Sequence, residues 1–364
     1  MGGRDTIRPL HPEHVLSRFK SCSDTTQIDG QAIYLGILHN HYGHFLCETL
    51  SRLWAIDSVD SHARLVLLVT DAGVPGFVDD FFRMAGLQDR LVYVRTPVCV
   101  ESLVIPDAAV IYPHLFHPAF LRLTRSVLER TAFLSDNETA PLFVSRGNLV
   151  PGYSRYVVGE RMLHEAMVRA GATIVSPETL GIAEQIRLFN AHRRIVGYAG
   201  SAMHNLLFTT GDKDVLYYSA RAIPKIYRLI DKDLRNRARY VDAHLLSCPG
   251  MLAFEIGFKP EVLDLPGVVQ EISSFLGVEL VLEGLDHLAY QKCAVVEFNT
   301  ASMLRYVVEQ RARGSSTLEA EFADLEHSHV FDREMIARSM QRSPVLRKFF
   351  GDIGWEKSAH NFSY

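Results

Sequence analysis

Acid–base side chains lie close together in the segment 40–54 of the 364-residue chain. His44 and Glu48 are four residues apart, so on a helix their side chains share one face. An imidazole beside a carboxylate can act as a proton acceptor, because the carboxylate sets its basicity and its orientation. The same spacing is also typical of a solvated ion pair on a surface helix. A metal site that adds His41 is a weaker alternative, because the spacing matches no known zinc motif.

An apolar stretch at 142–145 predicts a strand that ends in Ser145-Arg146-Gly147. In an open α/β sheet, ligands bind beyond the carboxyl ends of the strands. A guanidinium at that place suits a phosphate, because its forked N–H groups match phosphate oxygens. Arg146 is therefore a candidate phosphate ligand, and Arg155 follows in the same loop. The alternative is an ordinary exposed arginine at a turn.

Another predicted strand, 194–198, leads through Ala199 into Gly200 and Ser201 and then into a helical pattern. Gly200 would let the backbone approach a ligand closely. Ser201 is a good helix cap, and the N–H groups at a helix start attract anions. The segment matches neither the dinucleotide-binding glycine motif nor the phosphate loop of ATPases. Glycines that serve only packing are the alternative.

Two further polar residues follow the predicted strand 172–175. Glu178 comes just after the strand end, where its carboxylate can accept a hydrogen bond from a ribose hydroxyl. The alternative is a carboxylate that stabilises a helix start. Gln185 lies in a predicted amphipathic helix, 182–191, and would otherwise be a plain surface residue.

The elements that carry these residues alternate as strand and helix, which predicts an α/β protein with a parallel sheet and helices on both faces. The predicted strands are 65–69, 91–94, 142–145, 172–175, 194–198 and 215–218, with weaker candidates at 279–283 and 294–298. The predicted helices are 77–85, 120–134, 157–170, 182–191, 202–208 and 301–313. A polar linker is predicted at 135–141. The large apolar side chains after residue 339 predict a docked C-terminal segment: Leu346, Phe349, Phe350, Trp355 and Phe362.

The composition is that of an ordinary globular protein, with 48% hydrophobic residues, 22% charged residues and a net charge of −4. This balance gives no sign of nucleic-acid binding. The five cysteines are far apart and form no C-x-x-C pair, so we expect neither a zinc knuckle nor a disulfide framework, and we expect a reducing compartment. We expect no membrane span and no signal peptide.

The order in which these motifs follow one another along the chain indicates a family. His44-x-x-x-Glu48 is followed by Arg52 and Trp54, and then by Ser145-Arg146, Arg155, Pro177-Glu178 and Glu184-Gln185. A G-x-x-G-S-A-x-x-N-x-x-F pattern then runs from Gly197 to Phe208. In this order and spacing the chain resembles glycosyltransferase family 61 over residues 30–220.

The resemblance implies a GT-B architecture, in which two Rossmann-like domains face each other across a cleft. We expect an acceptor-side domain over 1–137, a nucleotide-sugar-binding domain over 138–275 and a C-terminal extension of open role over 276–364. The implied activity is the inverting transfer of a hexose or pentose from a nucleotide-sugar donor to an oligosaccharide or glycolipid acceptor in polysaccharide biosynthesis. A cytoplasmic location is expected, with peripheral contact to the inner face of the membrane as an option.

Site roles follow from the resemblance by position. The catalytic candidates are Glu48 and His44, and the donor-side candidates are Arg146, Arg155, Glu178, Gln185, Gly200, Ser201, His204 and Asn205. Neither a cofactor nor an obligatory metal is expected, because the arginines and a helix start would stabilise the leaving diphosphate.

One departure concerns Ala199, which stands where the family usually has a histidine; His204 is a substitute for it nearby. The alternative function is therefore a catalytically inactive relative that binds nucleotide or sugar as a subunit of a polysaccharide assembly complex.

Overall fold

The computed structural model describes residues 26–69, 73–112, 114–131, 138–149, 156–245, 251–252, 254, 256, 259–282, 287–315 and 331–352. The chain divides into two compact units, Met1–Arg130 and Thr131–Tyr364. Each unit has its own parallel sheet. The α/β class predicted from the sequence is therefore confirmed.

The first unit is built on a four-stranded parallel sheet with the strand order β3-β2-β1-β4. The strands are β1 (Thr26–Leu38), β2 (Arg64–Val69), β3 (Leu91–Val94) and β4 (Val98–Val104). A short antiparallel pair is formed by β5 (Val110–Ile111) and β6 (Leu115–Phe116).

A continuous helical segment, α1, connects β1 to β2. It begins with an α-helical turn at Tyr42–His44, widens into a π-helical turn at Phe45–Thr49 and continues as a 3-10 helix at Leu50–Ser58. Helices α2 (Gly76–Met84) and α3 (Pro118–Thr131) follow, with a 3-10 turn at Gln88–Arg90 between them. The buried side of α1 packs on α2, where the ring of Phe45 lies 5.6 Å from that of Phe81 and 6.2 Å from that of Phe82.

The second unit contains a five-stranded parallel sheet with the strand order β12-β11-β10-β7-β9. The strands are β7 (Leu142–Val144), β9 (Thr173–Val175), β10 (Arg194–Tyr198), β11 (Asp214–Ser219) and β12 (Arg237–Asp242). Two further short strands, β8 (Val157–Val158) and β13 (Glu261–Val262), pair with each other. The central strands are buried along almost their whole length, as in parallel sheets covered by helices on both faces.

The helices of the second unit connect its strands and extend beyond them. They are α4 (Glu160–Arg169), α5 (Ile182–Ala191), α6 (Lys225–Asp233), α7 (Leu265–Leu276), α8 (His287–Ala312), α9 (Arg333–Arg342) and α10 (Pro344–Asp352), with 3-10 turns at Pro177–Thr179 and Ser201–Phe208. Helices α8, α9 and α10 share a core that includes Leu304, Ile336 and Phe349.

Two of the weaker predictions from the sequence are wrong. The stretch 294–298 is not a strand but part of α8, because Tyr290, Ala294, Ala301 and Leu304 bury one stripe at helical spacing. In the other candidate strand, residues 279–282 belong to neither a strand nor a helix.

The helix predicted at 157–170 begins in the structure at Glu160, three residues after its predicted start. Val157 and Val158 form β8, and Gly159 has a φ of 90° that ends the strand and starts α4 at Glu160.

The predicted docking of the C-terminal segment is confirmed in its described part, since Leu346, Phe349 and Phe350 are fully buried. Trp355, Phe362 and the first three residues of the predicted linker (135–137) lie outside the described residues. None of the helices in the described ranges combines the length and hydropathy that crossing a bilayer requires.

The sequence predicts no disulfide framework, and among the described cysteines Cys99 is disulfide-bonded, whereas Cys47 and Cys293 are free thiols. Sequence spacing gave no signal because a disulfide depends on which Cα atoms the fold brings close together. Disulfides persist chiefly in oxidising compartments, so the Cys99 disulfide does not support the expected reducing compartment, which stays a prediction.

Peptide mapping checks the Cys99 disulfide. When the protein is denatured and alkylated without reductant, we expect Cys99 in a disulfide-linked peptide pair and alkyl groups on Cys47 and Cys293. Reduction before alkylation is the control and should release the Cys99 peptide. Alkylated Cys99 in the unreduced sample would contradict the structure.

Candidate functional site

The first group of candidate residues lies at the carboxyl end of β1. Strand β1 is flanked by β2 on one side and β4 on the other, so the strand order changes direction beside it. Such a switch point is where open α/β sheets bind ligands. His39 and His41 follow β1 directly, and α1 then supplies His44 and Glu48.

The predicted pair of His44 and Glu48 forms in the structure. His44 Nδ1 lies 2.5 Å from Glu48 Oε1, and both side chains are about half exposed. His39 Nε2 lies 3.8 Å from the other carboxylate oxygen. The ring centroid of His44 lies 5.4 Å from that of His39 and 4.8 Å from that of His41. His39 is not among the predicted site residues, because β1, the strand that ends one residue before it, is not among the predicted strands.

The π-helical turn fixes the position of Glu48. Its wide hydrogen bond runs from the Leu50 N–H to the Phe45 carbonyl. Ser51 Oγ and Arg52 Nη1 donate to the Glu48 carbonyl at 2.7 and 2.9 Å. Single π-helical turns are rare and often occur at functional sites. The turn buries Phe45 against α2 and leaves the carboxylate of Glu48 at the surface.

The contact between His44 and Glu48 changes the pKa of both groups. The hydrogen bond to Glu48 raises the pKa of the His44 imidazole, although partial burial opposes this. The same hydrogen bond lowers the pKa of Glu48, so the carboxylate is ionised and can only accept. His44 Nδ1 must then carry the proton, and Nε2 is the nitrogen that can take a proton from a substrate. This is the geometry of a general base oriented by a carboxylate.

The second group of candidates lies at the carboxyl ends of β7 and β10. These two strands are neighbours, but β7 continues to β9 on one side and β10 continues to β11 on the other. The gap between their connections is the switch point of this sheet. Ser145-Arg146 leaves β7 there, and Ala199-Gly200-Ser201 leaves β10. The structure therefore brings together two segments that are more than fifty residues apart in the sequence.

Arg146 and Gly200 fit against each other at this point. The guanidinium of Arg146 lies over the ring of Tyr198, 5.1 Å from its centroid. A Cβ atom at position 200 would lie only 3.0 Å from Arg146 Nη1. Gly200 has an extended backbone that any residue can adopt, so the glycine supplies space here and no special conformation. A methyl group at this position would make the guanidinium shift by a few tenths of an ångström.

A buried carboxylate supports the loop that carries Arg146. Glu160 Oε1 accepts from the Arg146 N–H at 3.0 Å, and the Tyr218 hydroxyl donates to both Glu160 oxygens at 2.9 and 2.8 Å. Burial is the main cause that raises the pKa of Glu160 to about 7. Sequence reasoning missed Glu160, because a single glutamate at a helix start has the ordinary signature of a surface residue.

Ser201 is the first residue of the 3-10 helix Ser201–Phe208, and Gly200 occupies the cap position without a side-chain hydrogen bond. The prediction that Ser201 caps this helix is therefore wrong. The first N–H groups of a helix lack partners within it, so Ser201 and Ala202 present the anion-binding end of the turn.

Glu178 is exposed just beyond β9, in the Pro177–Thr179 turn. Gln185 and Asn205 are buried instead, and Asn205 Nδ2 donates to Gln185 Oε1 at 2.8 Å. Gln185 Nε2 in turn donates to the carbonyls of Pro177 and Leu180 at 2.8 and 3.0 Å. The pair thus braces the turn that presents Glu178.

His204 is buried, with its ring 5.2 Å from that of Tyr227, and Ala199 is buried as well. Arg155 lies outside the described residues. Within the described ranges, no group of three or more histidine, cysteine or acidic side chains is arranged to hold a metal ion.

A cavity of about 550 Å³ in the first unit is lined by Trp54, Arg90, Arg122 and Arg130, among others. These residues belong to the end of α1, to the segment before β3 and to α3. The cavity therefore lies toward the amino ends of the strands, away from His44 and Glu48.

Comparisons with known proteins bear on the family. Residues 42–216 match the family model of glycosyltransferase 61. Among solved structures, the chain is similar to an iron-containing dodecameric bacterial glycosyltransferase, TibC from enterotoxigenic E. coli H10407, at 9% identity over 62% of this chain and 65% of that chain. The TM-score of 0.28 is low, so this likeness carries no argument about fold or mechanism. The comparison with curated proteins found no match. The match over residues 42–216 makes this part of the chain similar to glycosyltransferase family 61, the family that the order of the motifs predicted.

Proposed function

We propose that the protein transfers a sugar, with inversion, from a nucleotide-sugar donor to an oligosaccharide or glycolipid acceptor in polysaccharide biosynthesis. The two compact units would be the two Rossmann-like domains of a GT-B architecture. The observation that carries the proposal is that Arg146 lies against Gly200 and the start of the Ser201–Phe208 helix at a switch point, in a chain whose residues 42–216 match the glycosyltransferase 61 model. The cytoplasmic location, with peripheral contact to the inner face of the membrane as an option, stays a prediction, and the Cys99 disulfide does not support it.

The donor site would lie along the carboxyl edge of the second sheet. Arg146 and the N–H groups at the start of the Ser201–Phe208 helix would hold the diphosphate. Glu178 follows the strand next to β7, the place where related nucleotide-binding sheets hold the ribose with a carboxylate. Gln185 and Asn205 would act as positioning residues for the Glu178 turn. Arg155 and His204 stay predicted donor-side residues.

Transfer would be a single displacement. The acceptor hydroxyl attacks the anomeric carbon as the bond from that carbon to the phosphate oxygen breaks, and His44 Nε2 takes the hydroxyl proton. A general base of this kind contributes roughly 10²–10⁴-fold to the rate. Glu48 holds the imidazole in the tautomer that the step needs. The negative charge of the departing nucleoside diphosphate is stabilised by Arg146 and the helix start.

A second function is favoured by Ala199. This residue is buried and has no polar side chain, although it stands where relatives usually have a histidine, and His204 packs on Tyr227. The alternative is a binding subunit that takes a nucleotide or sugar without turnover. Binding of a sugar nucleotide without transfer to any acceptor, in a panel of both, would favour it over the enzyme.

Titration calorimetry with nucleoside diphosphates tests the donor site. We expect Arg146→Ala to weaken binding by about tenfold or more, since a hydrogen bond to a charged group contributes about 1.5–3 kcal/mol. Gly200→Ala should also weaken it, because the new methyl group displaces the guanidinium. Arg187→Ala removes an exposed arginine on α5 and should leave the affinity unchanged. If Arg146→Ala binds nucleoside diphosphates as tightly as the wild type, Arg146 is not part of the donor site.

The pH dependence of kcat/KM tests the base. Activity needs neutral His44, so it should fall as the pH drops through the raised pKa of that imidazole. Glu48→Gln removes the cause of the raised pKa, so the acid limb should move to lower pH while turnover falls at every pH. Asp80→Asn, an exposed carboxylate on α2, is the matched control. If the rate and the acid limb are unchanged in Glu48→Gln, Glu48 does not orient the base, and the base lies elsewhere.

We propose that the reaction needs no metal, because guanidinium and helix N–H groups would stabilise the diphosphate. Transfer should persist after exhaustive treatment with a chelator. Activity that disappears on chelation and returns with manganese, magnesium or iron would overturn this part of the mechanism.

A further inference from the structure

A cavity of about 240 Å³ lies in the second unit between the loop that follows β7 and the C-terminal helix α9. Its walls are the loop 147–149, the beginning of α4 and one face of α9. The lining face of α9 consists of residues at i, i+3, i+4 and i+7, as expected for one side of a helix: Met335, Arg338, Ser339 and Arg342.

Among the charged groups that line this cavity, cations outnumber anions. Three guanidiniums, those of Arg161, Arg338 and Arg342, face a single carboxylate, that of Glu165. Arg161 pairs with Glu165 at 3.1 Å, and Arg338 pairs at 3.4 Å with an acid outside the lining, Glu334. Both arginine side chains are nearly half exposed, so these pairs hold them only weakly.

Arg342 has a neutral partner, since its Nη1 donates to the main-chain carbonyl of Asn148 at 2.5 Å. Its positive charge is therefore not balanced by that contact. Cations from two separate helices, α4 and α9, thus converge on one small space. An anion placed between them would replace mutual repulsion by attraction, and a phosphate offers the oxygen geometry that guanidinium groups match.

One wall of the cavity is the loop 147–149, which directly follows Arg146. Asn148 Nδ2 donates to Ser176 Oγ at 2.8 Å, and Ser145 Oγ lies 2.8 Å from Nδ1 of His164, another lining residue. The Gly147 N–H donates to Ser145 Oγ at 3.0 Å. An anion in the cavity would therefore bind beside the loop that the proposed donor site uses.

We propose that this cavity binds a phosphate group and that the C-terminal extension, through Arg338 and Arg342, is part of a ligand-binding surface. The volume suits a phosphate or diphosphate, since cavities that enclose whole drug-sized ligands measure about 300–1,000 Å³. The phosphate can come from the nucleotide of the donor, in which case the inference rests on the proposed function. It can also come from a separate phosphate or phosphorylated ligand, in which case the cavity acts independently.

Calorimetric titration of the full chain with inorganic pyrophosphate tests the cavity. We expect binding that weakens as salt is added and that falls by at least about tenfold in Arg338→Gln and in Arg338→Gln/Arg342→Gln. Lys348→Gln, an exposed cation on α10 outside the lining, should bind like the wild type. Arg338→Gln is the decisive variant, because Arg342 also supports the loop through Asn148 and its loss can act through that contact.

Nucleoside diphosphates and Arg146→Ala separate the possible sources. If Arg338→Gln also weakens nucleoside diphosphate binding and pyrophosphate competes with it, the cavity holds the phosphates of the nucleotide. If both ligands bind at once, the cavity is a separate phosphate site. Pyrophosphate that binds in an Arg338-dependent way without any nucleotide binding supports the cavity and refutes the donor site.

Two results would overturn the cavity. One is the absence of pyrophosphate binding to the wild type. The other is an affinity for pyrophosphate in Arg338→Gln equal to that of the wild type. In either case, a loss of nucleotide binding in Arg146→Ala would still support the proposed donor site.

Discussion

A parallel sheet brings the carboxyl ends of its strands to one edge, and a change of direction in strand order opens a gap between two connecting segments there. In the second unit this constraint places Arg146, after β7, against Gly200, after β10. In the first unit it places His39, His44 and Glu48 beyond β1. The candidate chemistry of both units therefore depends on how their strands are ordered, and the loops and the helix α1 that follow the strands supply the side chains.

The two groups of residues are supported in different ways. The imidazole and carboxylate of the first unit are half exposed and are held by a widened turn of α1, whose other side is buried against α2. The backbone of Arg146 is held instead by a buried hydrogen-bond network. In this network Glu160 accepts from the Arg146 N–H and from the Tyr218 hydroxyl. A proton acceptor that must meet an incoming hydroxyl suits an accessible place. A group that must oppose the charge of a diphosphate gains from a rigid support, since preorganised charges need no rearrangement during the reaction.

Local patterns in the sequence predicted what depends on neighbours along the chain. Strand 194–198 and helix 182–191 were predicted with their observed bounds, and the spacing of His44 and Glu48 predicted their contact. These features depend only on the spacing of apolar and polar side chains along the chain. Strand β1 is not among the predicted strands because its first half is polar. The stretch 294–298 is predicted as a strand because Val295 and Val296 outweigh the helical stripe.

Features that depend on contacts across the fold were beyond sequence reasoning. The fit of Arg146 to Gly200 requires the order of β7 and β10, and the disulfide of Cys99 requires proximity in space. Gln185 and Asn205 were predicted to be donor-side residues from the family pattern, and the structure places them as a buried pair behind the Glu178 turn. A motif can mark a position as important without showing whether the side chain meets the ligand or holds another residue that does.

The most direct test of the donor site is an experimental structure with a nucleoside diphosphate bound. The account predicts phosphate oxygens at hydrogen-bond distance, about 3 Å, from the guanidinium of Arg146 and from N–H groups at the start of the Ser201–Phe208 helix. A diphosphate bound away from the ends of β7 and β10, with Arg146 turned from it, would contradict the account.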